Sequence, residues 1–123
     1  MEAKELRLGN LVMFKQDGLT KNKEPQKVLL ICDDGVILHK YSYPYRQIQG
    51  IPLTEEWLIK FGFEQQEDYY VIVLGYDFGE VKIYPSPNGF FFMEGVIQQQ
   101  IEYVHQLQNL VYCLGEELTI NQY

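Results

Sequence analysis

Val28-Leu29-Leu30-Ile31-Cys32-Asp33-Asp34-Gly35-Val36-Ile37-Leu38-His39-Lys40-Tyr41 is the stretch whose reading decides the fold. Two apolar runs of strand length flank Asp33-Asp34-Gly35. That pattern predicts a β-hairpin with a type I′ turn, in which Gly35 takes the positive φ. Upstream, Leu11-Val12-Met13-Phe14 reads as a first strand entered through the turn Gly9-Asn10, followed by a long loop over Lys15 to Lys27. Downstream, Ile48 to Leu53 reads as a short closing strand. Four or five short strands with a long first loop predict a small SH3-like β-barrel over residues 1–53.

Beyond Pro52 the period changes. Thr54 is a good helix N-cap, and Glu55 and Glu56 place negative charge at the helix's positive end. The expected helix runs from Glu55 to Phe61, turns Leu58, Phe61 and Trp57 toward the core, and ends at Gly62 as a C′ glycine. Tyr70 to Leu74, Val81 to Tyr84 and Phe90 to Met93 read as a meander, with turns at Gly75–Gly79 and Pro85–Gly89. Ile97, Gln99, Ile101 and Tyr103 alternate with Gln98, Gln100 and Glu102, the pattern of a half-buried strand. Val104, Leu107, Leu110, Val111 and Leu114 then recur at helical spacing, which predicts an amphipathic helix over Tyr103 to Leu114 packed on the meander. Gly115 closes it, and Glu116 to Ile120 follow as an extended tail. The whole is expected to be one α+β domain: barrel-like strands over 1–53, then helix, meander and C-terminal helix over 54–123.

A chain of 123 residues with 46% hydrophobic and 22% charged side chains can bury a core without staples. Cys32 and Cys113 fall in apolar runs at no metal-ligand spacing, so buried free thiols are expected. The charged opening Glu2, Lys4, Glu5, Arg7 does not read as a signal peptide, and no apolar stretch reaches membrane-span length. A reducing bacterial cytoplasm is the expected compartment. Net charge is −7 and uneven: +2 over residues 1–50 and −9 over residues 51–123. The acidic part is a poor match for phosphate backbones, which argues against general nucleic-acid binding. Lys15, Lys21, Lys23 and Lys27 make one locally basic segment, read as a solvated hairpin tip.

No phosphate-loop, dinucleotide-binding, CxxC or HExxH motif is present in the sequence. Two histidines, His39 and His105, are too few for a His-rich zinc site, and no metal or cofactor is expected. His105 and Cys113 lie eight residues apart on one helix, about 12 Å along its axis, too far for a nucleophile pair. The adjacent carboxylates Glu55-Glu56 and Glu116-Glu117 read as surface groups. The expectation is therefore a protein that is not an enzyme.

Two features stand out as candidate ligand- or partner-binding sites. His105, Gln108, Asn109 and Tyr112 form a stripe of neutral donors and acceptors on the last helix, where a solvent face would carry Lys and Glu. These groups either satisfy the backbone of a neighbouring sheet edge or subunit, or they contact a ligand. The second is Tyr41-Ser42-Tyr43-Pro44-Tyr45-Arg46, read as a proline-containing loop. Tyr41, Tyr43, Tyr45 and Arg46 offer rigid aromatic area and a guanidinium suited to protein recognition or to stacking a base beside a phosphate. The same tyrosines could instead cover the edge of the barrel.

Leu6-Arg7-Leu8-Gly9-Asn10, Ile51 to Leu58, Phe61-Gly62-Phe63-Glu64, Tyr103 to Leu110 with its His-Gln-Leu-Gln-Asn-Leu core, and Gly115-Glu116-Glu117-Leu118 resemble a family of small uncharacterised proteins. These occur in phages, prophages and mobile elements of Bacteroides-type bacteria. The resemblance implies a phage or mobile-element accessory protein and brings no activity or site residues with it. Two functions follow as expectations. One is docking on a host or phage protein; the alternative is an anti-defence sponge that traps a nucleotide-derived signal. Because Phe90-Phe91-Phe92-Met93 puts apolar groups on both faces of one strand, a homo-oligomer burying the meander's second face is also expected.

Overall fold

The computed structural model describes residues 3–14, 25–38, 41–74, 79–87, 89–94, 97–114 and 118. The chain forms two compact units: Met1–Ile51 together with Tyr103–Asn109, and Pro52–Glu102 together with Leu110–Tyr123. The α+β expectation holds: there are two five-stranded antiparallel sheets, with one helix between them in sequence and a second helix after the last strand.

The first unit contains β1 (Leu11–Phe14), β2 (Gln26–Ile31), β3 (Gly35–Leu38), β4 (Tyr41–Pro44) and β5 (Ile48–Gly50), in the order β4-β3-β2-β1-β5. Among the described residues this ladder is open, with β4 and β5 at its ends. Strand β2 serves two neighbours. Gln26 and Lys27 pair with β1, whereas Val28, Leu30 and Ile31 pair with β3, with a register shift at Leu29. A bulge of this kind bends a strand and increases its twist. It also turns the run Val28 to Ile31 from the fully buried strand its composition suggests into one with a single buried side chain, Val28. Leu29 and Leu30 are 44% and 52% exposed. The core is Leu6, Val12, Val28, Val36, Leu38 and Ile48, with Phe14, Ile31, Tyr43 and Tyr45 packed against it.

Three expectations about this unit need correction. The two-residue hairpin turn is present, closed by the Cys32 N–H donating to the Gly35 carbonyl at 2.8 Å. However, Gly35 is a strand residue and is not among the positive-φ glycines. Its hydrogen side chain is required by proximity: a Cβ there would lie 2.1 Å from the Tyr43 carbonyl oxygen. Secondly, Tyr41 to Arg46 is strand β4 followed by a single 3-10 turn over Tyr45–Gln47, because the extended backbone before Pro44 continues the ladder opposite Gly35 to Leu38. Thirdly, Cys32 is an exposed free thiol, as is Cys113 in the second unit. Cys32 follows the end of β2 at the hairpin turn, where the sheet no longer has a buried face to offer it. The basic loop lies outside the described residues except for residues 25–27, as do His39 and most of the C-terminal tail.

In the second unit, helix α1 (Glu55–Lys60) begins as expected, with the Trp57 N–H donating to the Thr54 hydroxyl at 3.4 Å. It ends at Gly62, whose φ of 99° is the left-handed conformation glycine tolerates. Leu58, Phe61 and Phe63 are buried. The sheet comprises β6 (Glu64–Gln65), β7 (Tyr70–Leu74), β8 (Gly79–Ser86), β9 (Gly89–Glu94) and β10 (Ile97–Ile101), in the order β10-β9-β8-β7-β6. The register aligns Tyr70, Ile83, Phe92 and Gln99 in one row. Val81, Ile83 and Phe92 on that face are almost fully buried. The short strand β6 carries no apolar signal and escapes sequence reading. Strand β10 is more polar than its expected alternation: Gln98, Gln99 and Gln100 are all exposed and Ile101 is buried.

Helix α2 runs from Val104 to Cys113, with Val104, Leu107, Leu110 and Val111 buried. Residues 103–109 belong to the first unit, so packing on the meander describes at most the helix's last turn. A Gly35→Ala substitution is expected to destabilise the protein by about 2 kcal/mol or more, because backbone rather than a movable side chain meets the new methyl group. Urea denaturation checks this; an unchanged midpoint would show that β3 and β4 can separate freely.

Candidate binding site

The polar stripe of α2 is employed inside the first unit. The Asn109 Nδ2 donates to the Glu5 carbonyl at 2.9 Å, and its Oδ1 accepts from the Asn10 Nδ2 at 2.9 Å. Gln108 Oε1 accepts from the Leu11 N–H at 2.9 Å, and its Nε2 donates to the Gly9 carbonyl at 3.3 Å. These two amides hold the segment Glu5 to Leu11 where it turns into β1. Gly9, at φ 88°, allows the turn, and Asn10 Oδ1 closes it by accepting from the Arg7 N–H at 2.7 Å. Asn10 is itself buried, and sequence reading missed it beyond its place in the Gly9-Asn10 turn. An amide following a turn glycine is a weak signal, and nothing local points from residue 10 to residue 109.

His105 is buried, with its ring stacked on Tyr103 at 5.8 Å between centroids and an interplanar angle of 14°. Gly50 makes room for this pair, since a Cβ there would come within 2.9 Å of both the Tyr103 ring and His105 Cε1. His105 Nδ1 has no hydrogen-bond partner among the described residues. Burial holds the imidazole below its ordinary pKa of 6.5, against a smaller upward pull from the Glu5 carboxylate. Tyr112, by contrast, is 56% exposed and lies in the part of the helix that belongs to the second unit.

The tyrosines of β4 and the turn after it face different neighbours. Tyr43 meets Phe14 edge-on at 4.8 Å, and Tyr45 donates its hydroxyl to the Cys32 carbonyl. Burial raises the Tyr45 pKa, and Cys32, Asp33 and Asp34 add to the shift. Tyr41 is 65% exposed and Arg46 is also exposed. The structure thus gathers Tyr43 and Tyr45 toward the core cluster and leaves Tyr41 and Arg46 open to solvent.

A second constellation lies on the other face of the meander. Tyr84 and Phe91 are register partners with ring centroids 5.9 Å apart, and Tyr69 meets Tyr84 at 5.6 Å. Lys82 sets its ammonium 5.2 Å from the Tyr69 ring centre, within cation–π range. All of these side chains are partly exposed, and Val73 and Met93 on the same face are exposed. Gln98 donates to Met93 Sδ at 3.7 Å and Gln100 to Ser86 Oγ at 3.1 Å, extending the face with amides. This combination of tilted rings, one cation and neutral amides is chemistry suited to a protein surface: large rigid area with few charges to desolvate. Among the described residues no group of three or more His, Cys, Asp or Glu could hold a metal ion. No helix among them is long and apolar enough to cross a membrane.

Replacing Asn109 with Ala strands the buried Asn10 amide, so a loss of about 1–3 kcal/mol is expected in chemical denaturation. A change below about 0.5 kcal/mol would mean that water replaces the bond. Because folding lowers the His105 pKa, the unfolded chain binds the proton more readily. His105 therefore contributes a stability that is intact above pH 6.5 and lost as pH falls below it. Denaturation midpoints should fall more steeply below pH 6.5 in the wild type than in His105→Gln, and identical slopes would contradict the assignment. No protein-family model, curated protein or solved structure matches this chain.

Proposed function

We propose that this is a non-enzymatic accessory binding protein of a phage or mobile element, which docks on a host or phage protein through the outer face of its meander. The observation that carries the reading is the aromatic row Tyr69, Tyr84 and Phe91, with exposed Val73 and Met93 beside it. Aromatic side chains in such a row are the residues that dominate binding energy at protein interfaces. The charge of −9 over residues 51–123 favours a partner whose apolar centre is rimmed by basic groups. The motifs from Leu6 to Asn10 and from Tyr103 to Leu110 support the phage or mobile-element setting, which in turn supports a bacterial cytoplasm as the compartment. The sheet order β4-β3-β2-β1-β5, with a bulged β2 shared by two ladders and a 3-10 turn before β5, supports an SH3-like arrangement of the first unit.

The amides that a ligand pocket would need favour this reading over nucleotide trapping, since Gln108 and Asn109 already bond residues 5–11. The test is affinity capture from infected cells with the wild type and a Phe91→Asp variant, followed by calorimetry of any captured partner in purified form. A partner that binds the wild type and loses about tenfold or more in affinity to Phe91→Asp supports the outer face as the docking surface. Equal binding by both proteins would remove that surface from the proposal. Binding of a cyclic dinucleotide or ADP-ribose-type compound, weakened by Arg46→Ala, would replace the proposal with the trapping function.

A further inference from the structure

The outer face of the second sheet is laid out in rows that cross its strands. One row holds Phe91 of β9, Tyr84 of β8 and Tyr69, which directly precedes β7. The next row aligns Lys82, Val71 and Glu64, and a further one pairs Val73 with Glu80. Glu67 and Asp68 occupy the turn that leads into Tyr69, closed by the Gln66 N–H donating to the Tyr69 carbonyl at 2.8 Å. Glu64, Glu67, Asp68 and Glu80 are all exposed. Residues 51–123 contain two lysines and no arginine. Lys60 pairs with Glu56 at 3.5 Å and lies over the Trp57 ring, and Lys82 lies over Tyr69. Among the described residues neither lysine pairs with the four carboxylates, three of which lie at the Tyr69 end of the aromatic row.

Spacing narrows the kind of partner that fits. Neighbouring strands lie about 4.8 Å apart, so Tyr69 and Phe91, on either side of Tyr84, stand about 10 Å apart across the sheet. A polyproline II helix rises about 3.1 Å per residue with three residues per turn, so every third side chain returns to the same edge after about 9 Å. A Pro-x-x-Pro segment laid along the row therefore brings one proline to the Tyr69 end and the next to the Phe91 end. Such a segment makes no internal hydrogen bonds and leaves its carbonyls open. The Tyr69 and Tyr84 hydroxyls and the Lys82 ammonium are donors along its path. Segments of this kind dock on aromatic-lined surfaces and lose little entropy, because they are extended before they bind. A single-stranded nucleic acid would stack on the same rings but bring its phosphates against the carboxylates.

We propose that the outer face of the meander takes a proline-rich segment carrying arginine or lysine, laid across the strands with its prolines on Tyr69, Tyr84 and Phe91. The inference rests on the docking function proposed above and names the segment that the partner presents. Charge complementarity fixes the segment's direction. Its cations lie at the Tyr69 end, beside Glu64, Glu67 and Asp68, whereas the Phe91 end continues into β10, where Gln98 and Gln100 are neutral.

Calorimetry of the full chain with two synthetic peptides tests this. One is a proline-rich peptide with arginines at one end; the other has every proline replaced by alanine, which keeps the charge and favours a helix. The proline peptide is expected to bind the wild type about tenfold or more tightly than its alanine counterpart, and to lose about tenfold or more with Tyr84→Ala. The double variant Glu64→Gln with Asp68→Asn should weaken it about threefold or more, an effect that fades as salt rises. These side chains are exposed or partly exposed, and circular dichroism checks that each variant keeps its fold. Equal binding of both peptides would overturn the proposal, since charge or a helix would then be what the face reads. Binding of neither peptide, or binding that ignores Tyr84→Ala or the double variant, would also overturn it. If the peptides fail while a captured protein still depends on Phe91, the docking surface stands and the proline-rich segment falls. If the proline peptide ignores Tyr84→Ala and no captured protein depends on Phe91, both fall.

Discussion

The first unit depends on a pair of carboxamides 99 positions apart. Asn10 and Asn109 bond side chain to side chain, and each also secures a backbone group of the N-terminal segment. Asn10 is at the same time a strand residue in effect, since its carbonyl accepts from the Val28 N–H at 2.8 Å, and the Gly9 N–H donates to the Val28 carbonyl at 2.8 Å. One residue therefore joins the entry turn, the β1–β2 ladder and helix α2. Buried amides are costly when unpaired and specific when paired, so the contact sets where the chain turns as well as how firmly it is held.

A consequence is that the first unit is discontinuous in sequence. Residues 103–109 complete it after the entire second sheet has intervened. The Val104 N–H donates to the Ile51 carbonyl at 2.8 Å, which brings the returning chain beside the strand end it left. The Tyr103–His105 stack fills the space above Gly50 that any larger residue would occupy. Contacts of such long sequence separation require loop-closure entropy to be lost before they form, so this unit has a higher contact order than its short strands imply.

The second sheet divides its residues by register alone. Phe90 and Phe92 are buried while Phe91 joins the Tyr69–Tyr84 row on the opposite face, because neighbouring strand positions point in opposite directions. The same rule leaves Gln98 and Gln100 on the aromatic side and Gln99 on the row of Ile83 and Phe92, where it is exposed while Ile101, two residues on along the same face, is buried. The second sheet thus has one face buried around Val81, Ile83 and Phe92 and another that carries the partly exposed rings of Tyr69, Tyr84 and Phe91.

Strand and helix positions were legible from the amino-acid order because they follow local rules. Apolar runs bounded by turn signals mark β1 and the meander, and helical spacing marks α2; Thr54 and Gly62 mark both ends of α1; and the expected Gly9-Asn10 turn is there. The role of Gly35 was not legible. Its neighbour is the backbone of Tyr43, and a close approach between strands leaves no trace in local composition, whereas a positive φ would have matched a known turn pattern. Nor was the exposure of Leu29, Leu30 and Cys32, which a bulge and a strand end decide. The donor-and-acceptor stripe of α2 was recognisable as unusual from residue types alone. Only the tertiary structure could assign Gln108 and Asn109 to residues 5–11, because hydrogen-bond partners a hundred residues away are chosen by where the chain returns.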